Sequence, residues 1–157
     1  MIRGKKLSFN YKGEKNIIND LNIDIKEGEI TTIIGPNGSG KSTLLSLLCA
    51  LNKSKTGHVY LGDINMNNLK YKDIAKILAT VHQQNSVPKD IKVEELVAYG
   101  RYPHKGYFKN NNKEDKNIIK WALECTGLDD LKHKGVMNLS GGERQRAFIS
   151  MALAQKP

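Results

Sequence analysis

Long apolar runs are missing: nothing in the 157 residues approaches the ~20 consecutive apolar side chains that a membrane helix needs. Cysteine is scarce. Cys49 and Cys125 are the whole supply, so no disulfide framework can be drawn and no spacing suits a zinc site. The amino terminus, Met1-Ile2-Arg3-Gly4-Lys5-Lys6, lacks the apolar stretch of a secretion signal. Prolines number four and aromatics make up 6%, while 39% of the chain is apolar, enough for one modest domain with a core and too little for two. These shortages exclude a transmembrane protein, a secreted disulfide scaffold and a disordered tail, and leave the expectation of a cytosolic protein.

Acidic residues are also in deficit: 16 against 25 Lys plus Arg gives +9 and a pI near 9.5. Nucleic-acid binders cluster their basic residues, often with aromatics between them. Here the lysines are spread along the chain among Asn and Ile, as on solvated faces, so no nucleic-acid partner is expected.

Residues 2–10 read as a strand, and Leu21-Asn22-Ile23-Asp24-Ile25 alternates with period two. Tyr11-Lys12-Gly13-Glu14 between them has turn chemistry, as does Lys26-Glu27-Gly28-Glu29. Ile30-Thr31-Thr32-Ile33-Ile34 is a β-branched run suited to a strand buried on both faces. Ser42 to Leu51 suits a buried helix, residues 58–61 and 78–81 suit strands, and a short helix is predicted over 71–77. From about residue 93 the chain turns helical. Helices are predicted over Val93–Tyr99, ended by Gly100, over Glu114–Thr126, and after Asn138. Ile118, Trp121, Ala122 and Cys125 fall on one stripe of the second. Residues 101–113, with Pro103 and three asparagines, read as a polar linker. The expected division is a nucleotide-binding, β-rich part over 1–92 and a helical part over 93–157.

Gly35-Pro36-Asn37-Gly38-Ser39-Gly40-Lys41-Ser42 fits G-x-x-x-x-G-K-[ST] at every fixed position. Glycines let successive N–H groups point at one anion, and the amino-terminal amides and dipole of the following helix add positive potential. Lys41 would reach the β- and γ-phosphates, and the Ser42 hydroxyl would sit on Mg²⁺; Thr43 completes the set. This motif alone leaves a small-molecule kinase, a GTPase and a transport ATPase open.

A second motif narrows the choice. In Leu139-Ser140-Gly141-Gly142-Glu143-Arg144-Gln145-Arg146, Ser140-x-x-Glu143 is a capping box. The box leaves Gly141 and Gly142 unexplained, because glycines in a first turn cost helix stability. They fit a helix start that a ligand approaches closely. With the phosphate loop about 100 residues earlier, this stretch resembles the signature of the ATP-binding cassette transport ATPases. The resemblance runs from Tyr11 to the last residue. It implies an α/β phosphate-loop cassette with an antiparallel β front part and a helical subdomain. It also implies two cassettes paired head to tail, so that Ser140, Gly141, Gly142 and Glu143 complete a partner's ATP site. Tyr11 matches the aromatic that stacks on adenine. Gln83, with Gln84 the next in register, matches the glutamine that contacts Mg²⁺ and the attacking water.

Pro88 to Val97 and Gly100-Arg101-Tyr102-Pro103-His104 resemble the ATPase subunits of importers for iron–siderophore complexes, haem and cobalamin. That resemblance implies integral membrane permease subunits, a substrate-binding protein, a second nucleotide-binding subunit and a place at the cytoplasmic face of the membrane. His58, His82, His104 and His133 are expected to be packing or surface residues. The family's later apolar strand with its Asp, its catalytic Glu and its switch histidine have no counterpart before Pro157. The sequence therefore reads as part of a cassette of roughly 250 residues, and the isolated 157-residue chain is expected to be marginal or aggregation-prone. A non-hydrolysing ATP-binding fragment, and a soluble cassette ATPase of translation or DNA repair, are the alternative functions.

Overall fold

The computed structural model describes residues 1–11, 15–83, 85–105 and 113–157. The chain divides into two compact units, Met1–Lys70 and Tyr71–Pro157.

In the first unit, β1 (Ile2–Phe9), β2 (Ile18–Ile25), β3 (Thr56–Leu61) and β4 (Ile64–Asn65) form an antiparallel sheet in the order β2-β1-β3-β4. Its register places Ile2 opposite Ile25 on one side and Leu61 on the other. The alternation in the strands buries Leu7, Phe9, Ile18 and Val59. Helix α1 (Lys41–Leu48) contributes Leu44, Leu47 and Leu48 to the unit's core and contacts β1. At roughly 1.5–3 kcal/mol per fully buried aliphatic side chain, these leucines hold α1, and with it the loop that opens α1.

In the second unit, α2 (Tyr71–Ile74) is followed by α3 (Val93–Ala98), α4 (Lys113–Cys125) and α5 (Gly141–Gln155). α5 packs on both α3 and α4. Val93, Val97, Ala122, Leu128, Val136, Ala147 and Ala154 are fully buried among them. Lys92 pairs with Gly135 in a single antiparallel bridge, and the Val136 amide donates to the Ile91 carbonyl at 2.9 Å. The fully buried Ser150 hydroxyl donates to the Ala122 carbonyl at 2.8 Å and meets the Thr126 hydroxyl at 2.7 Å. A buried polar group in α5 is thus fully accounted for by α4 and the turn after it.

Several expectations are corrected. Ile30–Ile34 forms no strand; Ile30 is 99% and Ile34 86% exposed. Residues 78–81 form none either, and Val81 is exposed. A strand exists only as a member of a ladder, and no described strand pairs with either segment. The α4 stripe is rotated: Ile118, Ala122 and Leu123 are buried, while Trp121 and Cys125 are exposed. Tyr99–His104, read as a helix end and linker, is a 3₁₀ helix. Of the predicted linker, residues 106–112 lie outside the described residues, as do 12–14 of the first turn and Gln84. The compact units divide after Lys70, whereas the sequence reading divides after residue 92. Residues 71–78 belong with the helices because Gln155 of α5 hydrogen-bonds to them.

Candidate functional site

The phosphate loop is exposed from Gly35 to Ser39, and its end rests against the start of β2. Gly40, at φ +88°, is the residue before α1 and has no side-chain cap. A Cβ there would lie 3.0 Å from Ile17 Cγ2 and 3.2 Å from Ile18 Cδ1, so both conformation and contact call for glycine. The first amides of α1 have no partner within the helix, apart from that of Leu44, which donates to the Gly40 carbonyl at 2.8 Å. The Lys41 ammonium donates to the carbonyls of Gly35 at 2.9 Å and Pro36 at 2.7 Å. Its charge is therefore held beside the loop backbone, at the helix end where the dipole already favours an anion. Ser42 is exposed and Thr43 is buried.

The donor set fits a hard cation shared with phosphate oxygens. The Ser42 hydroxyl has no hydrogen-bond partner among the described residues, and no group of three or more His, Cys, Asp or Glu there could hold a metal. Tyr11 is 47% exposed and stands edge-on to Phe9, ring centroids 5.1 Å apart.

In the second unit, Ser140 caps α5. Its hydroxyl accepts from the Glu143 amide at 3.3 Å, and the Glu143 carboxylate accepts from the Ser140 amide at 2.8 Å. Gly141 and Gly142 are exposed, and a Cβ on either would meet nothing within 4 Å. Nothing among the described residues demands glycine there. His82, Gln83 and Asn85 line a cavity of about 470 Å³ with Gly141, Arg144, Gln145 and Phe148 of α5. Gln83 and the first turns of the signature helix thus share one concavity. The Asn85 side chain bridges that loop, donating to the His82 carbonyl at 2.7 Å.

The hydrogen bonds from the Ser140 amide and hydroxyl, then the nearby Lys134 and Arg146, hold the Glu143 carboxyl below the usual glutamate range. A carboxyl whose folded pKa is depressed contributes stability above its unfolded pKa and loses that contribution as pH falls through the folded value. Protection of the Glu143 and Arg144 amides, which the capping box orders, measured against their intrinsic exchange at each pH, is expected to fall below the ordinary glutamate pKa. Glu143→Gln should remove that pH dependence. The same acid dependence in both proteins would show that the carboxyl is not engaged.

Arg101 and two of the histidines make structural contacts. Arg101, in the segment read as a polar linker, is only 6% exposed; its Nε donates to Asp115 at 2.8 Å and its Nη1 to the Ala154 carbonyl at 2.9 Å. His104 Nε2 lies 2.7 Å from the Gln155 carbonyl. His133 Nδ1 lies 2.9 Å from Glu94.

The ABC transporter family profile matches residues 18–157. The chain belongs to that family. It is 47% identical over 151 residues to the iron(3+)-hydroxamate import ATP-binding protein FhuC of Bacillus subtilis (strain 168), covering 96% of this chain and 56% of the relative. It is 42% identical over 155 residues to the ferric enterobactin transport ATP-binding protein FepC of Escherichia coli (strain K12), covering 99% and 57%. The chain thus spans a little over half the length of these curated relatives. Among solved structures it resembles the dimeric bacterial ABC transporter cassette MJ0796, with TM-score 0.84 and 32% identity over all of this chain and 71% of that one. The ADP- and phosphate-bound form of that cassette matches with TM-score 0.79 at 31% identity, over the same shares of the two chains. The antiparallel β front part and the helical part of the expected cassette are both present. Among the described residues, no helix is long and apolar enough to cross a membrane.

Proposed function

We propose that this ABC chain is the nucleotide-binding part of an importer ATPase, one that drives uptake of iron chelates of the siderophore, haem or cobalamin type. The observation that carries the reading is a complete phosphate loop and signature in a chain 42–47% identical to two ferric-siderophore import ATP-binding proteins. Lys41 and the loop amides bind the β- and γ-phosphates of ATP, and Tyr11 stacks on the adenine. Ser42 and Gln83 are the residues that hold Mg²⁺. When bound, Mg²⁺ neutralises charge on the phosphates, the larger part of the demand in phosphoryl transfer. Gln83 also orients the attacking water. Ser140, Gly141, Gly142 and Glu143 face the γ-phosphate bound by a second copy of the chain, so ATP closes a dimer and hydrolysis reopens it. The complete protein works at the cytoplasmic face of the membrane, docked on integral permease subunits that receive cargo from a substrate-binding protein.

The test is uptake of ⁵⁵Fe-hydroxamate, ⁵⁵Fe-catecholate, haem and labelled cobalamin by host cells with and without the gene. Loss of at least one uptake, restored by the wild-type gene and not by Lys41→Ala, is expected. Unchanged uptake of all four refutes the cargo class.

A further inference from the structure

Helix α5 carries the signature at its first turn, and its last turn is bound to the segment that leads to Gln83. The carbonyls at the end of a helix lack intrahelical donors, and two here are satisfied from the 3₁₀ segment Tyr99–His104. Arg101 donates to Ala154 while paired with Asp115 of α4, and His104 meets Gln155. The close approach depends on Gly100, where a Cβ would stand 2.2 Å from the Met151 carbonyl oxygen. The Gln155 side chain then faces away from its own helix's needs. Its amide nitrogen donates both hydrogens to a neighbouring segment, to the Ala75 carbonyl and, at 2.7 Å, to that of Leu78. Five residues beyond Leu78 stands Gln83, which shares the 470 Å³ cavity with Gly141. The segment 75–83 is therefore fastened to α5 at the last residue of the helix, and its other end lines a cavity with the helix's first turns.

We propose that Gln155 is a positioning residue: by clamping the Ala75 and Leu78 carbonyls it sets Gln83 in register with the signature turn of the same helix. The inference rests on the reading above, in which Gln83 and the signature serve ATP. A 15-residue helix is about 22 Å long and moves as one body. A shift of the signature turn then carries Gln155, and the segment it clamps, along with it. A glutamine that merely packed would need no second donor contact. Here both amide hydrogens are committed to backbone carbonyls of one neighbouring segment, 80 and 77 positions earlier.

The test uses the complete protein assembled with its permease subunits. Gln155→Met keeps length and volume and removes both donors. It is expected to lower kcat about tenfold, leave KM for ATP within about twofold, and raise the Mg²⁺ concentration for half-maximal rate several-fold. In a Gln83→Ala background the same change should cost less than about twofold, because the residue it positions is gone. Gln155→Lys, whose ammonium again offers donors, should recover part of kcat. An unchanged kcat overturns the proposal, and so does a full, additive loss in the Gln83→Ala background. If Gln155→Met does not accumulate as folded protein, hydrogen exchange of the wild type decides. Amides 76–83 and 151–155 should open together, and independent opening overturns the proposal. Failure of the underlying reading is distinct: the wild type would then hydrolyse no ATP, or Lys41→Ala would hydrolyse it as well as the wild type.

Discussion

Alanine at Lys41 is expected to weaken ATP binding by about 100-fold or more while leaving the fold intact. A hydrogen bond to a charged group contributes roughly 1.5–3 kcal/mol, and the upper end of that range already corresponds to about 100-fold in Kd. The ammonium sits 2.9 and 2.7 Å from the Gly35 and Pro36 carbonyls, so it also braces the loop that must present its amides. The stability cost is small, because Lys41 is the half-buried first residue of α1 and alanine is a good helix former. Arginine should not restore binding, since its planar fork cannot replace a compact ammonium between two loop carbonyls and a phosphate. Calorimetric titration of the complete protein with MgATP measures the change, and a melting curve confirms the fold. Unaltered affinity would remove the phosphate loop from the nucleotide site.

What could be read in the sequence was what short-range chemistry determines. The phosphate loop is eight consecutive residues whose backbone requirements are met locally, and Gly40 has the positive φ its position in the motif calls for. The Ser140–Glu143 box spans four residues and forms both of its hydrogen bonds. The misread features depend on distant partners. Ile30–Ile34 has strand composition, but a strand needs a neighbour, and β propensity expresses packing against one. The α4 stripe failed for a related reason. Ile118, Ala122 and Leu123 lie inward because α5 and α3 approach on that side, and a rotation of one residue, about 100°, separates this stripe from one that includes Trp121. Arg101 opens the stretch read as a polar linker, and arginine is mostly exposed. Its burial depends on Asp115 fourteen positions away and on the Ala154 carbonyl 53 away. Gln155 carried no signal at all, because its partners Ala75 and Leu78 lie 80 and 77 residues earlier.

The signature glycines separate stability from function, and alanine at each should move the two in opposite directions. Gly141 and Gly142 open α5 with open space where a Cβ would stand, and neither has a positive φ. Alanine there meets no clash and restricts the unfolded chain, so each replacement should stabilise the fold by about 0.5–1 kcal/mol. Thermal unfolding should register that as a rise of a few degrees. The same replacements should lower ATP turnover of the complete transporter by about 100-fold. In the proposed dimer, a methyl group at this helix start would hold the partner's γ-phosphate away from the amides and block closure. Ser140→Ala supplies the contrast, losing about 1 kcal/mol of capping together with activity. A glycine variant that gained stability and kept full turnover would reduce the second motif to a plain helix cap. One that lost stability would mean that an unrecognised contact holds the turn. Only opposed changes are explained by a ligand from outside the chain, because no atom of the described chain comes close enough to require glycine.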